Sequence, residues 1–176
     1  MNSQRCGDWM QTATGRQFWP LDPRPEDICI DDIAGPLSKL CRYGGHTTRF
    51  YSVAEHCVHV AARAPVHLQL MALLHDASEA YLSDVIKPIK RHLANYEEIE
   101  ARLEFAIATR FGLMWPWDLE VKRLDLAILG DESDQLMLPH PAPWHLPEPR
   151  LGVQVFGWEP AFAEAEFLQA FWKYNH

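Results

Sequence analysis

Apolar residues recur every three or four positions along most of this chain, which is the spacing of one helix face. Runs with this spacing occupy residues 33–41, 53–64, 70–77, 95–112, 117–129 and 160–173. Gly or Pro follows several of these runs, as expected where helices end. The pattern therefore predicts an all-α fold that consists of a single helical bundle.

Two stretches break the helical pattern. Near the N-terminus, Thr14-Gly15 can turn a small β-hairpin whose second strand holds Gln17, Phe18 and Trp19. Five prolines lie between Pro139 and Pro149, a density that no helix tolerates, so this stretch is predicted to be a loop. The hairpin is a minor addition to the helical fold.

Composition narrows the class of protein. With 176 residues and 48% hydrophobic content, residues 1–176 suit one compact domain. The net charge of -8 disfavours a general nucleic-acid binder, which usually carries a basic face. We find neither a membrane-spanning apolar run nor a signal peptide, and the four cysteines lack C-x-x-C spacing, which favours reduced thiols in a cytosolic protein.

Polar side chains interrupt three of the apolar stripes. His56 lies between Val53 and Val60, the pair His75-Asp76 follows two leucines, and Asp125 occupies an inward position of a later run. Taken singly, an inward His is more often a hydrogen-bonded core residue, and an inward Asp is often paired with Arg. Burying an unpaired carboxylate is costly, so three such interruptions together favour a shared divalent cation.

The surrounding sequence resembles a known family. The order H…HD…D is that of the HD-domain phosphohydrolases. "FYSVAEHCVHVA" is similar to their first-ligand helix, and "ALLHDASEAYLSDVIKPIK" resembles the HD segment of the bacterial 5'-deoxynucleotidases. "DICIDDIAGPLSKLCRYGGH" is similar to a phage and prophage branch that includes a phage dATP triphosphohydrolase. The resemblance implies an all-helical domain that hydrolyses nucleotide phosphate esters or anhydrides.

The resemblance also implies roles for individual residues. It makes His56, His75, Asp76 and Asp125 the metal ligands. Glu79 and Asp84 match acidic residues that activate water or hold a second metal such as Mg or Co. Arg42 matches a phosphate-contacting Arg, and Lys90 and Lys122 resemble phosphate-binding lysines. The metal itself stays open among Zn, Co, Mn and Fe, since all accept His and Asp ligands.

Spacing suggests how these groups would act. His75 and Glu79 are four residues apart, which would place both on one helix face, with Glu79 in reach of water at the metal. Ile86 could touch the sugar or base. Trp19 could stack on a base or belong to the core of the hairpin, and Lys90 could bind phosphate or lie on a solvated face.

Three functions compete at this point. The leading interpretation is a deoxynucleoside triphosphate triphosphohydrolase, because the Lys and Arg near residues 87–91, together with Lys122, favour a triphosphate substrate. The resemblance to the phage branch implies dATP as that substrate. A 5'-deoxynucleotidase on monophosphates would use the same ligands, and a metal-stabilised binding module without turnover is the third. The resemblance further implies a homo-oligomer, dimer or hexamer, in the cytoplasm of a bacterial or phage-infected cell.

Overall fold

The computed structural model describes residues 5–175, which fold into eight α-helices and one two-stranded antiparallel sheet. The helices are α1 (Asp31–Lys39), α2 (Val53–Arg63), α3 (Gln69–Leu74), α4 (Glu79–Leu82), α5 (Lys87–Lys90), α6 (Tyr96–Arg110), α7 (Leu119–Leu136) and α8 (Pro160–Tyr174). The all-α prediction with a minor hairpin is confirmed. The single domain over residues 1–176 stays a prediction, and its ends at residues 1–4 and at His176 lie outside the described part.

Helix α2 forms the centre of the bundle and packs against α1, α3, α7 and α8. Its start is fixed by Ser52, whose hydroxyl accepts a hydrogen bond from the backbone N–H of Glu55 at 3.1 Å. It ends just before Pro65, which cannot continue a helix hydrogen-bond ladder. Most side chains of α2 are buried, so a polar group on this helix must find its partners inside the protein.

The N-terminal hairpin pairs β1 (Met10–Gln11) with β2 (Gln17–Phe18). Its turn is closed by hydrogen bonds from Gly15 N to Thr12 O and from Thr12 N to Arg16 O. Phe18 is fully buried, and its ring stacks on that of Tyr81 at 4.1 Å. The hairpin is thus attached to the core through the ring of Phe18 and to α1 through Thr14, which donates two hydrogen bonds to the buried Asp32 at 2.7 and 2.8 Å.

Two helix boundaries differ from the prediction. Helix α7 starts at Leu119 rather than near Pro116 or Trp117, because the Asp118 carboxylate accepts from Glu120 N at 2.8 Å and caps the helix there. Helix α3 stops at Leu74, so His75 and Asp76 lie in a tight turn.

In that turn, backbone N–H groups bond to carbonyls three residues back, at 3.0 Å from Ala77 N to Leu74 O and from Glu79 N to Asp76 O. His75 therefore lies just outside α3 and Glu79 begins α4, so the two residues do not belong to one continuous helix. Three-residue bonding winds the backbone more tightly than an α-helix and changes the direction in which successive side chains point.

Residues 137–159 hold no helix or strand, as the prolines predict, and two buried carboxylates attach this stretch to the bundle. Asp131 on α7 accepts hydrogen bonds from the backbone N–H groups of residues 151–153 at 2.8–3.2 Å. Glu55 on α2 accepts from those of residues 156–158 at 2.6–3.0 Å. Carboxylates with several N–H donors are strongly held, so this irregular segment is fixed.

None of the helices within residues 5–175 combines the length and the apolar character needed to cross a membrane. The four cysteines all lie in this range, and each is free. Cys57 is buried on α2, Cys29 and Cys41 are partly buried, and Cys6 is exposed. The prediction of unpaired, partly buried thiols is confirmed.

Replacing Asp131 with Ala should lower the free energy of unfolding by about 2–4 kcal/mol, because three backbone donors lose their acceptor. Urea denaturation checks this. The matched control is Asp134→Ala on the same helix, where an exposed carboxylate pairs with the exposed Arg150; it should have a much smaller effect. Equal losses in the two variants would contradict the anchoring role of Asp131.

Candidate metal centre

Four side chains from three parts of the bundle meet at one point. His56 lies on α2, His75 and Asp76 lie in the turn before α4, and Asp125 lies on α7. The Nε2 atom of His56 is 3.2 Å from Asp125 Oδ1 and 3.4 Å from His75 Nε2. It is also 3.5 Å from Asp76 Oδ2. His75 Nε2 is 3.4 Å from Asp76 Oδ2 and 3.8 Å from Asp125 Oδ1.

These separations fit a single bound cation. Zinc bonds to His nitrogen and carboxylate oxygen are about 2.0–2.2 Å long, and a tetrahedral set of such ligands is about 3.4 Å apart. The observed distances of 3.2–3.8 Å bracket that value. Because each atom also carries a lone pair that a cation can accept, His56, His75 and Asp125 could hold a metal ion. Asp76 Oδ2 lies 3.4–3.5 Å from the Nε2 atoms of both imidazoles.

Both imidazoles are oriented for this purpose by their other nitrogen. His56 Nδ1 donates to Glu132 Oε1 at 2.6 Å, and His75 Nδ1 donates to the carbonyl of Ala72 at 2.8 Å. A carboxylate and a carbonyl only accept, so the proton of each ring sits on Nδ1 and the Nε2 lone pair is left for a metal. This arrangement is typical of His ligands in metal proteins.

Glu132 has no exposed surface and is fully paired. Its Oε1 accepts from Tyr51 at 2.9 Å as well as from His56, and its Oε2 accepts from the hydroxyl of Tyr43. Burial alone would raise the pKa of Glu132, but the charge of Arg42 and the hydrogen bonds from His56 and Tyr43 lower it to about 2. The residue therefore stays ionised and fixes the imidazole of His56, the first candidate ligand.

Sequence reasoning missed Glu132. It lies in the run Asp131-Glu132-Ser133-Asp134, which resembles the solvated end of a helix. The available signal was its position seven residues after Asp125, since two helical turns bring a side chain back to the same face. A carboxylate there that faces the bundle needs a partner such as His56.

Arg42 is buried between two carboxylates. Its Nη1 is 3.3 Å from Asp76 Oδ2, and its Nε is 3.5 Å from Glu132 Oε2. The backbone holds it there, because Arg42 N donates to Tyr51 O at 2.9 Å beside an antiparallel bridge between Cys41 and Ser52. The guanidinium thus lies next to the candidate metal ligands, as its predicted phosphate role requires, while most of its surface is covered by protein.

Negative charge dominates the centre. Five carboxylates interact with one another or with the two His ligands: Asp76, Glu79, Asp84, Asp125 and Glu132. Arg42 is the buried cation among them. Burial, and then the charges of Asp76 and Asp84, raise the pKa of Glu79 well above its ordinary value. Such an excess of carboxylates favours a bound cation.

Cys57 is a further possible ligand that the sequence interpretation left out. Its sulfur forms a second potential metal group with His75 and Asp76, whose ligand atoms all lie within 4.8 Å of one another. Burial raises the pKa of Cys57 to about 11, so it remains a thiol. Thiols bind metals only after they lose the proton, so Cys57 would have to release its proton to join His75 and Asp76 as a ligand.

The side chains predicted to contact the substrate differ in their surroundings. Lys90 lies near Glu79 and Asp76, but its ammonium pairs with Glu100 at 2.6 Å. Lys122 is exposed on α7, one turn before Asp125. Ile86 is exposed beside Gly44.

The remaining predicted contact, Trp19, lies under the guanidinium of Arg5, which is 4.5 Å from the ring. The neighbouring Phe18 belongs to the core. Core packing was the alternative to base stacking that the sequence left open for the hairpin aromatics. One face of Trp19 is thereby covered, and no contact of the ring with the candidate metal ligands is present within residues 5–175.

Comparison with known proteins gives two relatives, and no family model matches the chain. The chain is 34% identical to the uncharacterized protein YfdR of Escherichia coli (strain K12) over 166 residues, which are 93% of each protein. It is 42% identical to an uncharacterized protein of Rhodobacter capsulatus over 125 residues, which are 65% of this chain and 64% of that protein. The first similarity spans the segments that carry the four candidate ligands.

Glu132→Gln should weaken metal binding about 10- to 100-fold, because the neutral amide no longer fixes the His56 imidazole as a carboxylate does. Metal titration with a competing chelator measures the change. His56→Ala serves as the variant that loses a ligand directly, and His67→Ala, at an exposed position, is the matched control. Unchanged affinity in Glu132→Gln would show that the buried carboxylate does not support the metal.

Proposed function

This chain belongs to the family of YfdR, and we propose that it is a metal-dependent nucleotide phosphohydrolase of the HD-domain type. The favoured reaction is hydrolysis of a deoxynucleoside triphosphate, with dATP as the leading substrate, to deoxynucleoside and triphosphate. The ion is a divalent transition metal such as Zn, Co, Mn or Fe. A second ion such as Mg or Co at Glu79 and Asp84 is part of the same proposal.

The observation that carries the proposal is the convergence of His56, His75, Asp76 and Asp125 with both imidazoles held through Nδ1. A bound divalent cation lowers the pKa of water and polarises a phosphoryl group. The order of these residues along the chain, H…HD…D, resembles that of the HD-domain phosphohydrolases. Chemistry and sequence pattern thus favour the same reaction class.

Glu79 is the residue best suited to move the proton of the attacking water. Its Oε2 atom is buried and lacks a hydrogen-bond partner among the described residues. Burial and the neighbouring carboxylates raise its pKa, and a carboxylate with a raised pKa is a stronger base than an ordinary one. Asp84 contributes to this effect and is itself partly buried.

Positive side chains would hold the phosphate groups. Arg42 is fixed next to Asp76, so its charge is available at the cluster without reorganisation. Lys90 would have to exchange some of its contact with Glu100 for a phosphate oxygen. Lys122 is exposed and free to reach a terminal phosphate, which tilts the proposal toward a triphosphate substrate.

A 5'-deoxynucleotidase acting on monophosphates is the alternative within the same chemistry. A metal-stabilised binding module without turnover is the alternative outside it. The buried, unpartnered oxygen of Glu79 favours an enzyme, since a purely structural metal site has no need for a base beside its ligands.

Incubation of the metal-loaded protein with dATP, dAMP and the other nucleotides, in the presence of Mn, Co or Zn, should yield deoxynucleoside and intact triphosphate from dATP. Product identity decides between the candidates, because a monophosphatase would release inorganic phosphate from dAMP. Absence of turnover with every nucleotide and metal would contradict the proposal and favour the binding module.

Glu79→Gln should reduce kcat by about 10²-fold or more while leaving the metal bound, because the amide cannot accept a proton. Steady-state kinetics and metal content test the two parts of this prediction. Glu97→Gln, an exposed position on α6, is the control that should behave as the wild type. Full activity in Glu79→Gln would remove this residue from the proposed chemistry.

A further inference from the structure

A partly exposed indole lies on the Pro-rich loop at the end of α7. Trp144 is 42% exposed, although large aromatic side chains of a small protein are usually more deeply buried. Its ring centre is 4.9 Å from that of His140 and 6.0 Å from that of Tyr43, and the rings are tilted to each other by 49° and 41°. These three rings form a row that we call the aromatic row.

The loop that carries Trp144 is fixed to α7 on both sides of the indole. Before it, His140 Nε2 and the buried Ser133 hydroxyl are hydrogen-bonded at 2.6 Å. After it, Glu148 is 3.5 Å from Arg123. An exposed ring on a loop held at two points is preorganised, which lowers the entropy cost of binding a ligand on it.

The aromatic row is connected to the metal centre through Tyr43. The hydroxyl of Tyr43 donates to Glu132, the carboxylate that holds the ligand His56. The ring of Tyr43 also lies 5.4 Å from the guanidinium of Arg42, which contacts the ligand Asp76. An indole that packs on Tyr43 therefore belongs to the same corner of the bundle as the proposed phosphate-binding groups.

We propose that Trp144 stacks on the nucleobase of the substrate and sets the preference for a nucleotide over a base-free phosphate. This inference rests on the proposed function. A nucleotide has a charged end, which the metal centre and Arg42 attract, and a flat aromatic end, which needs an apolar surface. Partly exposed aromatic rings bind bases through their faces. Trp19, the ring expected from the sequence, is already covered by Arg5.

The test compares two ligands that differ only in the base. Trp144→Ala should raise the KM for dATP about 5- to 150-fold, which is the range for losing one base stack. It should leave the KM for 2-deoxyribose 5-triphosphate and the metal content unchanged. Trp144→Phe should recover most of the affinity for dATP, and Trp172→Ala, which removes a 62% exposed indole on α8, should change neither constant.

The same comparison can be made without turnover. Calorimetry of the metal-loaded protein with dAMP and 2-deoxyribose 5-phosphate should give weaker binding of dAMP in Trp144→Ala and equal binding of the base-free ligand. If the wild type binds neither ligand and hydrolyses no nucleotide, the proposed function fails and the stacking role fails with it. If the wild type is active and Trp144→Ala affects both ligands equally, or neither, only the stacking role is overturned.

Discussion

The carboxylate of Glu132 lies where water cannot reach it, and much of the candidate site is arranged to satisfy it. His56, Tyr43 and Tyr51 all donate hydrogen bonds to it, and Arg42 lies beside it. A buried charge without such partners would destabilise the fold strongly. The need to satisfy this one carboxylate thus fixes the candidate ligand His56, the guanidinium of Arg42 and two tyrosine rings in a single arrangement.

The helical bundle supplies this arrangement from residues far apart in the chain. The central helix α2 provides His56, a tight turn provides His75 and Asp76, and α7 provides Asp125. Each segment is held by its own local contacts, such as the Ser52 cap of α2. A cation at the centre would bind three separately stabilised elements, so ligand geometry is set by packing rather than by a flexible loop.

Much of the fold followed from the sequence because apolar spacing reports directly on helix faces. The meeting of His56 with Asp125 followed as well, since polar residues in apolar stripes must face one another inside a small bundle. The turn at His75 could not be predicted from the sequence. Its backbone hydrogen bonds span three residues instead of four, and this change does not alter the spacing of the apolar residues. The burial of Glu132 could not be predicted either, because tertiary packing decides it and the surrounding charged residues resemble an exposed helix end.

The hydrogen bonds that anchor the C-terminal segment to Glu55 affect the candidate metal centre as well as the stability of the fold. Glu55 immediately precedes His56, and its carboxylate accepts hydrogen bonds from the backbone N–H groups of residues 156–158 as well as a longer one from His59 at 3.4 Å. A chain shortened before Phe156 would leave this buried carboxylate without its three backbone donors, directly next to the candidate ligand His56. Although α8 carries no candidate ligand, the stretch that leads into it would then be as necessary to the centre as the motif residues themselves.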